Sequence, residues 1–490
     1  KLTPPEPGTD AADDTPDGSV SGVSEDVTIA PTGVEAGQVR SLNASDDSNI
    51  STIDFTNIDA VSVYFNDGTA GDTDSLTILG TAGGDTVTLN LGNAAGLDDD
   101  PGTALIDESA PLVVIDSVFD VKDFRAATAQ VRGHADLVPG LAELDALTVA
   151  TGWGDDTVRV VPSASGATTI NIDGGAPDAS DTLALDATTG NDTYVVTPGV
   201  HDNSGTVEVT LDGAGASTKI NFSGKEAITV GSLLVHGNSG DGGTDQLTAV
   251  GEGGSDAITV SAMTDTAATI TVNSGPEISY ADLATLTVTL DGQGGTDAVT
   301  LESGTAGVND VMEYTATDAD DATLTVTNSG GGAETVIFDL ADVESVSVDG
   351  GGDAVDTDEL DIPTAGASIT TTGLNAGVVT PVELGTGSSL LALSYEDVED
   401  VDVTGTMAVV HGTSSDDTIS ISATGLLTVT DLFGNNISVD VGTFPELLVN
   451  ALGGNDSISI TSAGLGGTLF TDGVTVLGGD ADTDGDSVTL

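Results

Sequence analysis

Seven Gly-rich turns place an aspartate directly before a short alternating strand. They are GGDTVTL at 83–89, GDDTVRV at 154–160, GNDTYVV at 190–196, GGSDAITV at 253–260, GGTDAVTL at 294–301, SSDDTISI at 414–421 and GGNDSISI at 453–460. A carboxylate beside exposed backbone carbonyls in a flexible turn is the donor set of a hard cation, which takes six to eight oxygens. The candidate ligands are Asp85, Asp156, Asp192, Asp256, Asp297, Asp417 and Asp456. Asp245 joins them, because one constant spacing separates Asp74 from Asp85, Asp181 from Asp192 and Asp245 from Asp256. The expected ion is calcium. A competing reading is that aspartate favours turns because its side chain bonds its own backbone. The charge supports the ion: 8 Lys+Arg against 80 Asp+Glu leave −72, and such charges repel in a compact array. Carboxylates solvated in strong salt, as in a protein from a halophile, are the rival account of that charge.

Other chemistry is poorly represented. His134, His201, His236 and His411 form no H-x-x-x-H pair, no G-x-S-x-G elbow occurs, and there is no cysteine. Carboxylate pairs are abundant, but a sugar cleft usually carries aromatic platforms, and Trp153 is the single tryptophan. No catalytic residue is assigned, and an enzyme is not expected. A polysaccharide-degrading β-helix is the enzymatic alternative. Such enzymes lean on basic residues to bind and deprotonate uronates.

After Lys225 there is no Lys or Arg to the end of the chain. A nucleic-acid partner, which needs cationic groups against its phosphates, is excluded there. An anionic membrane surface is disfavoured by the same charge. No apolar run reaches the ~18 residues of a membrane span, so insertion is not expected. No signal-peptide core stands at the start. The absence of cysteine, the acidity and the repeats together place the protein outside the cell, at a cell surface. The chain starts on Lys1 and stops on the strand-like Ser487–Leu490, so a processed form or a segment of a longer repeat protein is expected.

The elements that must position these aspartates are short strands. Leu286–Leu290, Ile258–Val260 and Ile458–Ile460 alternate apolar residues with Thr or Ser, the period-two pattern of a half-buried strand. Residues 1–54, with Pro4, Pro5, Pro7, Pro16 and Pro31, read as a tether with one or two strands at most. Residues 55–225 read as a first β-repeat region, interrupted at about 101–148 by a short helix or an elaborated loop. Residues 226–490 read as a β-repeat array, expected to continue beyond the chain end.

The array has a period. Phe222, Tyr280, Phe338 and Tyr395 recur at a nearly constant spacing, and each precedes a Φ-x-Val strand. Phe55 before Val61-Ser-Val63 is an earlier copy, and Phe444 a shorter later one. A unit of about 57 residues is too short for a β-sandwich domain of ~90–100 residues. It suits about three solenoid coils of ~19 residues. The expected fold is therefore all-β: an elongated repeat protein, with a β-solenoid (parallel β-helix) favoured over tandem β-sandwich domains.

The G-x-D-x-Φ-x-Φ turns resemble half of the calcium-binding nonapeptide of RTX proteins. Residues 55–490 resemble repeat-bearing bacterial surface proteins of the adhesin or surface-layer type, through Val346–Gly352, Val403–Ile421 and Leu447–Ile460. The second glycine of the nonapeptide is replaced, by Glu252, Gln293 and Leu452. The resemblance implies a structural subunit that self-associates into a filament or lattice. The alternative is a monomeric adhesin stalk whose binding tip reaches a partner such as a cell-surface glycan.

Overall fold

A computed structural model describes the strands between Glu25 and Thr489 and most of the corners joining them. Residues 1–24, 91–111, 127–145 and 232–244, residue 490 and shorter loop stretches lie outside it. The described residues contain thirty-nine strands and no helix. The chain divides into two units, Lys1–Gly243 with Ser274–Ala281, and Thr244–Asn273 with Asp282–Leu490.

In both units the strands fall into two sheets, A and B. The chain passes from one sheet to the other through a corner and returns through the next, so strands equivalent in successive coils pair in parallel and in register. In the first unit, Ser75–Leu79, Ala146–Ala150 and Thr169–Asp173 lie side by side in sheet A. Thr86–Asn90, Thr157–Val161, Thr182–Leu185 and Ala227–Gly231 do so in sheet B. Along each strand burial alternates. In Ala146–Ala150 the buried residues are Leu147 and Val149. The period-two sequence thus becomes an apolar inner face of Val, Ile and Leu and an outer face of Thr, Ser, Asn and Asp. This is a β-solenoid architecture, as the repeat predicts.

The repeat unit is built differently from three equal coils. In the second unit, Asp310–Ala316, Ala322–Asn328 and Thr335–Ala341 form an antiparallel run of three within sheet A. Ser345–Asp349 follows in sheet B and Glu359–Pro363 in sheet A. The next run of three, Gly366–Gly373, Ala376–Val382 and Leu393–Glu396, lies in sheet B. It is followed by Asp400–Thr404 in sheet A and Met407–His411 in sheet B, and then by the run Thr418–Ile421, Leu426–Thr430 and Asn436–Asp440 in sheet A. One period is five strands. Five is odd, so each repeat begins in the sheet opposite to the last. The periodic aromatics follow this switch, with Phe338 in sheet A and Tyr395 in sheet B. Both sit in the third strand of a run and are buried. The antiparallel runs were hidden in the sequence because parallel and antiparallel half-buried strands share one period-two pattern.

Two segments differ from expectation. Where a tether was expected over 1–54, three strands form, Glu25–Gly33, Ala36–Asn43 and Ser51–Thr56, the last running past residue 54, in an antiparallel run. In the 101–148 segment, where a short helix or loop was expected, Phe119–Ala126 is a strand. It pairs in parallel with Ala60–Phe65 and antiparallel with Leu112–Ile115. The strand is paired along both of its edges, which overrides a local helical preference. The rest of the expected helix, up to His134, lies outside the described residues.

Candidate functional site

The aspartates before the strands are not solvent-facing turn residues. Asp85, Asp156, Asp192, Asp256, Asp297, Asp417 and Asp456 are all buried. Each sits inside a corner, one residue before a strand. Asp245 instead opens the strand Asp245–Val250. Two further buried aspartates, Asp181 and Asp358, hold the same corner position. They were harder to see in the sequence because their corners are longer: Asp358 stands further along the chain from Gly350 than Asp297 does from Gly292.

The corner aspartates stack into ladders. The backbone N–H of Asp85 donates to Oδ1 of Asp156 at 2.7 Å, and that of Asp156 to Oδ1 of Asp181 at 2.7 Å. In the second unit the N–H of Asp256 donates to Asp297 Oδ1 at 2.6 Å, and the N–H of Asp297 to Glu344 Oε2 at 2.6 Å. A third ladder runs from the N–H of Asp417 to Asp456 Oδ1 (2.8 Å) and from that of Asp456 to Asp486 Oδ1 (3.1 Å). A carboxylate here accepts the amide that the turn leaves out of the strand pairing. That is the reason for an acid at this position rather than an apolar residue.

The glycine ahead of each corner has a steric cause. A Cβ at Gly292 would lie 2.4 Å from Asp342 O and 2.7 Å from Asp297 Oδ2. The corners at Gly80, Gly251, Gly350 and Gly412 are filled in the same way by an aspartate Oδ2 and a carbonyl of the next coil. Positive φ is adopted in two corners where the RTX pattern would have its second glycine, by Gln293 after Gly292 at 60° and by Leu452 after Ala451 at 65°. Asp291 and Asn450 support these by accepting the N–H two residues on.

The second carboxylate oxygen distinguishes the corners. In Asp417 it accepts the N–H of Thr413 at 2.5 Å and the Thr413 hydroxyl at 3.1 Å. In Asp156, Asp256, Asp297 and Asp456, Oδ2 is buried and receives no hydrogen bond. Burial raises the pKa of Asp297 first, with further upward pressure from Glu344, Asp256 and Asp342 that the Asp256 amide opposes. Asp456 is raised in the same way, by burial and then by Asp417, Asp486 and Asp416 against the Asp417 amide.

Two acidic groupings were not foreseen. Glu359, Asp361 and Asp402 have carboxylate oxygens within 4.8 Å of one another, as do Asp318, Asp320 and Asp321. The first arises because Asp361 stands opposite Asp402 on adjacent parallel strands, with Glu359 two residues before Asp361 on the same face; Glu313 opposite Asp361 and Asp440 opposite Asp402 extend the row. These residues are distant in sequence, so no local signal marks them. The second is a turn in which Asp318 Oδ1 accepts the N–H groups of Asp320 and Asp321.

Among the histidines, His411 stands beside Asn450 on the outer face of sheet B, 3.4 Å from its side-chain amide, and His201 is exposed in a loop. His134 and His236 lie outside the described residues. Trp153 is 67% exposed at the tip of the corner between Thr151 and Asp156. Among the described residues no helix is long and apolar enough to cross a membrane. Comparison with known protein families and with curated proteins finds no match to this chain.

Proposed function

We propose that the protein is a structural subunit of an extracellular assembly, a surface layer or a filament, rather than an enzyme. The observation that carries this reading is the repetition itself. Each coil is added to the last by parallel in-register strands and a carboxylate-to-amide contact at the corner, and nothing in that rule limits the number of coils. Backbone edges of this kind also accept a strand from another copy. The outer faces of Thr, Ser, Asp and Glu suit contact with water, salts and like subunits. The proposed partners are further copies of the chain. Calcium is the proposed ion, since it would offset the charge of −72.

Electron microscopy of the purified full chain tests the reading. Regular fibres or lattices are the expected result. Isolated single particles at every concentration and calcium level would favour the monomeric stalk, for which the exposed Trp153 would be a point of contact with a glycan.

A further inference from the structure

The second unit contains no Lys or Arg. A carboxylate buried there is compensated by N–H dipoles, by a proton, or by an ion from solution. The stacked corner of Asp256 and Asp297 is only half compensated from within. Asp297 Oδ1 accepts the Asp256 amide, and Asp256 Oδ1 accepts the Asn273 side-chain amide. Asp256 is 4% exposed and Asp297 0%, and Oδ2 of both is buried without a donor.

Those two oxygens turn towards the corner glycines, where carbonyl oxygens also converge. A methyl group built on Gly251 would lie 2.6 Å from Asp256 Oδ2 and 3.1 Å from Gly292 O. One built on Gly292 would lie 2.7 Å from Asp297 Oδ2 and 2.4 Å from Asp342 O. Each of two successive corners thus sets one carboxylate oxygen and one carbonyl oxygen against its glycine, along the seam where the coils stack. We propose that this seam binds a divalent cation of calcium's class, held by the Oδ2 atoms of Asp256 and Asp297 with the carbonyls of Gly292 and Asp342. Water completes the coordination. The proposal rests on the calcium reading above and narrows it from eight candidate aspartates to one stacked pair.

The Asp417 corner is the internal contrast. It has the same ladder, but Thr413 supplies the N–H and hydroxyl that its second oxygen needs, so an ion has nothing to complete there.

The test uses the full chain, with calcium chloride as the probe. Equilibrium dialysis counts bound calcium, and thermal melts compare EDTA with calcium chloride and with sodium chloride at matched ionic strength. Calcium is expected to raise the melting temperature by about 5 °C beyond sodium, through preferential binding to the folded state. Asp297→Asn keeps the Oδ1 acceptor for the Asp256 amide and removes one charge. It is expected to melt no lower than wild type in EDTA, to bind one calcium fewer and to lose part of the calcium shift. Asp417→Asn is expected to keep the calcium count. If Asp297→Asn does not fold, Asp256→Asn is put to the same measurements. A wild-type chain that binds no calcium, or variants of the pair that bind as much as wild type, would overturn the site. Fibres that persist in EDTA with no calcium bound would remove the cation and leave the structural assignment standing.

Discussion

At the scale of single residues, equivalent positions in the repeat act as their own controls. Tyr280 and Tyr395 occupy the place that Phe222 and Phe338 hold in other copies. Both tyrosine hydroxyls are buried without a partner, and burial pushes both phenols upward. Replacing either with Phe removes an unsatisfied group and should stabilise the fold by about 1 kcal/mol in denaturant unfolding. Tyr314 differs, since its hydroxyl donates to Leu391 O at 3.0 Å, and Tyr314→Phe should cost about 1 kcal/mol. Equal effects at all three positions would contradict the hydrogen-bond assignment. Gly292→Ala forces a methyl to 2.4 Å from Asp342 O, so the corner must open. A loss of about 1–3 kcal/mol is expected, and an unchanged denaturation midpoint would refute the close approach.

At the scale of elements, the outer face of sheet A in the second unit sets like charges side by side. Glu313, Asp361, Asp402 and Asp440 occupy one row across four strands, with Glu359 opposite Asp400 beside it. Like charges directly opposite destabilise a sheet. Asp402 is pushed up to about 6 by partial burial, then by Asp400, Asp440, Asp361 and Glu359. A carboxyl raised in the folded state favours folding while it is protonated. That contribution is complete below its unfolded pKa near 4 and is lost as pH rises through about 6. Without divalent ions, the melting temperature should therefore fall between pH 4 and pH 6.5. Asp402→Asn should flatten this dependence and raise the melting temperature at pH 7 by about 1–3 °C. The same slope in variant and wild type would show that the row does not interact.

At the scale of the molecule, the basic residues are confined to the first part of the chain, the last being Lys225. Lys225 is fully buried in the folded protein. Trypsin should therefore leave the Lys225–Glu226 bond intact in the native protein. Once the first unit unfolds, cleavage there releases Glu226–Leu490 as one fragment with no further site. Digestion along a temperature ramp then reports unfolding of the first unit by the appearance of that fragment. Its appearance at low temperature, before any loss of β-structure by circular dichroism, would contradict the burial of Lys225.

The sequence alone determined the strand content, the period and the corner aspartates. Each is written locally: alternation marks a half-buried strand such as Ala146–Ala150, and Gly-x-x-x-x-Asp marks the corner from Gly292 to Asp297. Tertiary structure decided what those features do. It divided each repeat into five strands rather than three coils, because pairing direction leaves no trace in a period-two pattern. It also turned Asp297 inward, since the neighbouring coil presents an amide that its side-chain Oδ1 accepts. The acidic row of Glu313, Asp361, Asp402 and Asp440 exists only by register, which joins positions far apart in the chain. Local spacing specifies elements, and the stacking of coils specifies which of their charges must share a site.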